Sequence, residues 1–199
     1  MWQPANEASY AYLLGMYLGD GCLYANPRGG VQVRICLDTR HPAVIDDCWA
    51  AMVLSMFSRP VSVRPRSGCA AVHVQSAGKR WLDAFPQHGP GRKHERPIVL
   101  TQWQWEIVGR HRGDFVRGLI HSDGCRTINR FSTRLPSGRL VEYAYPRYFF
   151  SNLSPDIRDL FSEACDALGV RWSRSSSRNI SVSHRRSVAV LDEIGCAKA

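Results

Sequence analysis

Lysine is nearly absent from this chain. Of 26 basic residues only three are lysines, Lys79, Lys93 and Lys198, and the rest are arginines. A GC-rich coding sequence skews that ratio whatever the function, but it does not account for the formal net charge of +9. An excess of that size points to a polyanionic partner, and arginine suits bidentate contacts to phosphate and guanine. Long apolar runs are also missing. None reaches the roughly 18 residues of a membrane helix, so no membrane partner is expected. The opening "MWQPANEASY" has no basic stretch followed by an apolar one, so no secretory leader is expected and the bacterial cytoplasm is the expected location. The seven cysteines include no C-x-x-C pair, and the seven histidines lack H-x₃-H or H-E-x-x-H spacing. A structural zinc is therefore not expected, and the thiols read as small apolar residues in a reducing compartment.

What is present is a repeat. "YLLGMYLGDGCL" (Tyr12–Leu23) and "FVRGLIHSDGCR" (Phe115–Arg126) share a glycine, a small residue four positions on, and then Asp-Gly-Cys. Setting Asp20 on Asp123 and Pro42 on Pro155 also sets Arg34 opposite Arg147. The Asp-to-Pro spacing is 22 residues in the first copy and 32 in the second, so an insertion falls in the first hairpin, where it is cheapest. A repeat that occurs only twice is a duplication, not a solenoid.

Each copy reads as helix, strand, strand, helix, strand, strand, helix. In the first, Asn6 or Ser9 caps a helix that ends at Gly21, with Leu13, Leu14, Tyr17 and Leu18 as its buried stripe. "GGVQVRICLD" alternates as a strand, Pro42 opens a helix running to Phe57, and "PVSVRPR" and "AAVHVQS" are further strands before the short helix "GKRWLDAF". Residues 1–85 make the first half. Residues 86–112 form a linker rich in Gly, Pro and charge, followed by a connecting helix. Residues 113–199 form the second half. Asp114 is the expected cap of its motif helix, and strands lie on either side of a "PSG" turn. Ser154, Pro155 and Gly169 bound a strong helix. The expected fold class is α+β, a pseudo-two-fold duplication of an αββαββα unit.

The chemistry follows from the motif helices. Gly15 and Gly19, and likewise Gly118 and Ser122, are small residues four apart on one helix face, which lets two helix backbones approach closely. Side by side about a two-fold axis, the helices bring Asp20 and Asp123 together at their C-terminal ends. Two carboxylates there repel each other and face the negative ends of two dipoles. A divalent ion relieves both penalties, and hard oxygen donors suit Mg²⁺. A single Asp-Gly after a helix is usually a turn; two in register, each after the same small-residue spacing, are harder to assign to turns alone.

"LLGMYLGDG" (Leu13–Gly21) and "VRGLIHSDG" (Val116–Gly124) resemble the two copies of the LAGLIDADG motif. They share its leading apolar residue, its glycine, its small seventh residue and its final Asp-Gly. They depart at the sixth position, where Leu18 and His121 stand. Two copies in one chain are similar to the monomeric, pseudo-symmetric homing endonucleases of that family. The resemblance implies antiparallel sheets forming a saddle on double-stranded DNA, with the motif helices at the central interface. It implies Asp20 and Asp123 as metal and catalytic residues, with Mg²⁺ as cofactor and Mn²⁺ or Ca²⁺ able to substitute for binding. It further implies a monomer at the nucleoid that cleaves a long asymmetric site, as in intron homing. A basic residue near each scissile phosphate is also implied, with Lys79 as candidate in the first half and His184 or Arg185 in the second. The expected DNA contacts are Arg28, Gln32, Arg34, Arg64, Arg66, His73 and Gln75 in the first half, and Arg126, Asn129, Arg130, Arg147, Ser173 and Arg174 in the second. These residue types suit base edges and phosphates. A DNA-binding regulator that does not cut, or a maturase acting on intron RNA, are the alternative expectations on the same scaffold.

Overall fold

A computed structural model of the chain describes residues 2–56 and 60–198. The first motif helix, α1 (Glu7–Asp20), begins where the Asn6 side chain accepts the Ser9 N–H at 2.8 Å. It is not a one-sided helix. Every residue from Tyr10 to Leu18 is buried, so the expected stripe widens to the whole circumference. The reason is its surroundings: α1 is packed by other helices and by the first sheet, and a helix apolar all round belongs in the middle of a core.

From α1 the chain turns directly into β1 (Gly21–Ala25), a strand for which the sequence had suggested only a place in the repeat order. β2 (Val31–Asp38), α2 (Pro42–Ser55), β3 (Val61–Pro65), β4 (Ala71–Ala77) and the single turn α3 (Trp81–Ala84) complete the unit. The expected end of α2 at Phe57 lies outside the described residues. After the segment 86–101 come α4 (Gln102–Arg110) and the second motif helix α5 (Arg112–Asp123), separated by His111 alone. With so little chain between them, α5 starts earlier than expected. Its N-cap is His111, and Asp114 stands in the first turn, where its charge still favours the helix N-terminus. The second unit continues with β5 (Gly124–Arg134), β6 (Leu140–Ser151), α6 (Pro155–Ala167), β7 (Ser173–Arg174), β8 (Asn179–Val182) and α7 (Arg185–Glu193).

The two sheets are antiparallel and four-stranded, ordered β1-β2-β4-β3 and β5-β6-β8-β7. The fold is thus the expected α+β duplication. β5 is 11 residues against five in β1, and β6 is 12 against eight in β2, so the insertion lies wholly in the first hairpin of the second half.

α1 and α5 make the most extensive helix–helix contact in the molecule. A Cβ on Gly15 would stand 2.5 Å from the Phe115 carbonyl oxygen, and one on Gly118 would stand 2.1 Å from that of Tyr12. On Gly19 it would meet the Ser122 Oγ at 2.2 Å. Gly21 and Gly124 have ordinary negative φ (−86° and −109°), so left-handed backbone is not what they supply. A Cβ there would reach Tyr17 Cα at 2.5 Å and Ile120 Cα at 2.8 Å, because each strand doubles back under the helix that feeds it.

Candidate active site and nucleic-acid interface

Strand parity assigns the sheet faces, since neighbouring residues point to opposite sides. In the first sheet Val31, Val33, Ile35, Leu37 and Val74 are buried against helices. The opposite face carries Gln32, Arg34, Gln75, His73, Arg64 and Ser62, with Arg34 paired across from Gln75 and Arg64 from His73. Arg66, just past β3, donates to Cys36 Sγ at 3.6 Å on that same face, and Arg28 is exposed at the tip of the β1–β2 hairpin. The first half therefore gathers its candidate contacts on one open surface.

The second half sorts them differently. Tyr148 and Phe150 are buried against the helices, Phe150 stacking on Phe161 of α6 with ring centroids 4.4 Å apart. The open face then holds Asn129, Arg147, Ser173 and Ser181. Arg147 donates to Ser181 Oγ at 2.5 Å and to Asn129 Oδ1 at 3.4 Å, and its guanidinium lies over the Phe149 ring. Arg126 pairs across from the buried Tyr148, so it points to the helix side and grips Asp192 of α7 through two hydrogen bonds of 2.7 and 2.9 Å. Arg174, across from buried Ile180, bonds Asp159 of α6 at 2.7 Å. Arg130 shares Arg126's face by the same parity. These three arginines leave the expected contact surface. The first two brace helices against the sheet.

At the centre, Asp20 and Asp123 close the C-terminal ends of α1 and α5. The Asp123 carboxylate stands over Gly19, whose added Cβ would lie 2.8 Å from Asp123 Oδ2. Burial, and then the charge of Asp123, push the Asp20 carboxyl up to about 6. Asp123 is also pushed up by burial, but Asn152 Nδ2 donates to its Oδ2 at 2.5 Å and counters the shift. Among the described residues no such donor serves Asp20.

The expected basic partners are elsewhere. Lys79 follows β4, which runs away from the centre: Gly78 N–H bonds Val31 O, and the Lys79 ammonium lies against Gly29 of the distant hairpin. Four residue steps along the strands, roughly 13 Å, separate that end from Gly21. His184 and Arg185 are exposed beyond β8, which runs outward in the same way. The lysines at the centre are the other two. Lys93 Nζ donates to the carbonyl oxygens of Tyr17, Leu18 (3.0 Å) and Gly19 (3.1 Å), closing the end of α1. Lys198 Nζ donates to Ser122 O at 3.0 Å, closing α5. Gly19 and Ser122 are equivalent in the repeat, so the two lysines are equivalent as well. Cations at helix C-termini satisfy orphan carbonyls and oppose the dipole. Burial pushes Lys93 down to about 8, against the pull of Asp123 and Asp20, and burial also lowers Lys198.

A signal for them existed. Lys93 follows Asp20 by 73 residues and Lys198 follows Asp123 by 75, in a chain with a third lysine only. His121, at the motif's variant position, anchors the tail that brings Lys198 in. Its Nε2 lies 3.0 Å from Gly195 O, so that nitrogen carries the proton, and Nδ1 accepts from the Tyr12 hydroxyl at 2.9 Å. Burial holds His121 down to about 4, so it is neutral.

A cleft of 460 Å³ opens on one side of the aspartates, lined by Asp20, Lys93, Asp123, Asn152 and their neighbours. Its repeat-related counterpart, 190 Å³, is lined by Asp20, Asp38, His41, Ser122 and Lys198. Among the described residues no group of three or more His, Cys, Asp or Glu side chains could hold a metal. The donors that fit one are the two carboxylates together with the helix-end carbonyls, all hard oxygens. Among the described residues no helix is long and apolar enough to cross a membrane.

No protein-family model matches the chain, and no curated protein matches its sequence. Solved structures do. Mesophilic variants of the homing endonuclease I-DmoI superpose with a TM-score of 0.63 at 15% identity, over 94% of this chain and 95% of theirs. I-DmoI in complex with DNA and Mn matches at 0.60 and 15%, over 94% and 96%. Full-length DUF199/WhiA from Thermatoga maritima matches at 0.59 and 15%, over 95% of this chain and 55% of that one. With its two motif helices packed glycine to glycine and a four-stranded sheet on either side, the chain has the LAGLIDADG fold of the homing endonucleases.

Proposed function

We propose that this protein is a site-specific endonuclease that hydrolyses double-stranded DNA with a divalent cation, acting as a single chain. One observation carries the reading: two carboxylates lie side by side at the junction of two open, arginine-bearing sheet faces, each with a lysine beside it. A ribbon or sheet of this width fits a major groove. Arg34, Gln75 and His73 on one side and Asn129 and Arg147 on the other supply base-edge and phosphate contacts. Continuity of the two faces supports a DNA path that would bring a backbone phosphate over the Asp20–Asp123 pair.

Asp20 and Asp123 would hold the metal, Mg²⁺ in the first instance. Bound there, it supplies a more acidic water and positive charge near the phosphate. The chain's own groups do the rest. The aspartates must be ionised, which burial of both, and for Asp20 also the charge of Asp123, opposes. Lys93 and Lys198 hold positive charge beside the phosphate oxygens. In each strand a water oxygen bonds to phosphorus, the bond to the leaving sugar oxygen breaks, and that oxygen takes up a proton. I-DmoI, which shares the fold, has been solved with DNA and Mn, which supports this assignment of metal and substrate.

A second reading, a DNA-binding protein that does not cut, is favoured by one feature. Lys93 and Lys198 already occupy carbonyls that a cation could use. The fold is shared with WhiA as well as with endonucleases, so fold likeness does not choose between the two. Selection of binding sites from a random duplex pool, followed by cleavage of a plasmid carrying the selected site with Mg²⁺, decides. Linear product is expected. Tight binding with neither nick nor linear product would establish the non-cutting reading. Lys93→Met and Lys198→Met are expected to slow cleavage more than binding.

A further inference from the structure

The long hairpin of the second half carries a surface that the active site does not use. β6 pairs with β8 only from Tyr148 to Ser151, so β5 and β6 continue beyond the sheet as a two-stranded ribbon. On the ribbon's open face, continuous with Asn129 and Arg147, stand Phe131, Tyr143 and Tyr145. Phe131 and Tyr143 stack with centroids 5.1 Å apart at 18°, and Tyr145 meets Phe131 edge-on at 6.0 Å and 82°. Phe131 is 44% exposed and Tyr143 41%, so the rings are held by one another and not by a core. The ribbon is basic: Arg130 and Arg134 stand on its other face and Arg139 in its turn, against Glu142 alone.

An apolar patch on a basic ribbon whose face runs on from the proposed DNA contacts fits one feature of duplex DNA. In the major groove the thymine C5-methyl is the apolar group that tells one base pair from another. We propose that Phe131, Tyr143 and Tyr145 form a reading face for thymine methyl groups, making them specificity-determining residues for the outer part of the second half-site. The proposal rests on the DNA-binding reading above. The first half has no counterpart, since its hairpin strand is six residues shorter and Tyr24 stands there alone. Six more residues extend the reach by about 20 Å, or about 6 base pairs at 3.4 Å each. Phe131 lies eight residues past Asp123, so thymines are expected about 6–8 base pairs from the centre, on one side only.

The test uses the intact chain. Sites selected from a random duplex pool should show thymine enriched at those positions on one flank. In the selected duplex, replacing these thymines by uracil removes the methyl group and nothing else. Affinity should fall about fivefold or more, while the same replacement near the first half's outer positions changes little. In the double variant Phe131→Ser, Tyr143→Ser, thymine and uracil duplexes should bind alike, with the melting temperature of the protein unchanged. Equal binding of the two duplexes by the unmodified protein would overturn the proposal. So would a preference for single-stranded over duplex DNA that disappears in the variant, which would make the rings a stacking platform. Enrichment of no duplex at all would sink the DNA-binding reading and this one with it, a result distinct from selection without thymine discrimination.

Discussion

The two halves share a backbone plan and differ in how they treat the same carboxylate. Asp123 receives a hydrogen bond from Asn152, at the position where the first half has Thr39. Among the described residues Asp20 receives none. His121 ties the second motif helix to the chain's tail, where the first half has the apolar Leu18. The two acids of the repeat are thus unequal in their surroundings. In the proposed reaction a symmetric site would treat two DNA strands alike, and this one would cut them at different rates.

The severest way to break the comparison is to attack what the halves share. Gly118→Val places a side chain where Tyr12 O already stands at 2.1 Å from the Cβ position. A loss of about 4 kcal/mol or more is expected, seen as a lowered urea midpoint or as failure to fold. An unchanged midpoint would show that the helices do not meet there. Next, Asp20→Asn and Asp123→Asn separate the two acids. Each is expected to slow one strand's hydrolysis roughly 10³-fold with the other strand less affected, read from end-labelled duplexes. Equal loss on both strands in both variants would mean that the acids act as one unit.

A subtler contrast is thermodynamic. Asp20 titrates at about 6 in the fold against 3.8 ordinarily, so folding favours its protonated form. The stability associated with that group is fully present below pH 3.8 and is lost as pH rises through about 6. At pH 7.5 the ionised carboxylate costs on the order of 2–3 kcal/mol. Asp20→Asn should therefore stabilise the metal-free protein by about that much at pH 7.5 and by little at pH 4. Mg²⁺ should raise the melting temperature of the parent more than that of the variant. A variant less stable than the parent at pH 7.5 would contradict the shift. The smallest expected effect is that of Asn152→Ala. It removes Asp123's donor, costs about 1 kcal/mol, and should move the pH profile of one strand's cleavage upward, bringing the halves closer to equivalence. A profile that does not move would remove Asn152 from the account of the difference.

Much of this was legible without coordinates, because duplication repeats its own signals. Two Asp-Gly steps behind two pairs of small residues specify a helix pair and the meeting of its two carboxylates. The lysines nearest the aspartates were not legible, because the order of strands does not lead to them. β4 and β8 run outward, and it is the segments reading as linker and tail that return to the centre with Lys93 and Lys198. The arginines of the second half divide between two faces for a simpler reason. Asn129 and Arg130 are neighbours in one strand and cannot share a face. The pairing that buries Tyr148 and Phe150 sets which of them lies on the open face.

The glycine contact between α1 and α5 also has a history in time. It joins residues about a hundred positions apart, and until it forms, α2 and the first sheet cover only part of α1 and the face that meets α5 stays bare. During synthesis at about 5–20 residues per second, α5 follows α1 by roughly 5–20 s. Such long-range closure also slows folding once the chain is complete. One face of α1 thus waits for a partner made much later, and the interval before Gly15 finds Gly118 is when that face is open to aggregation.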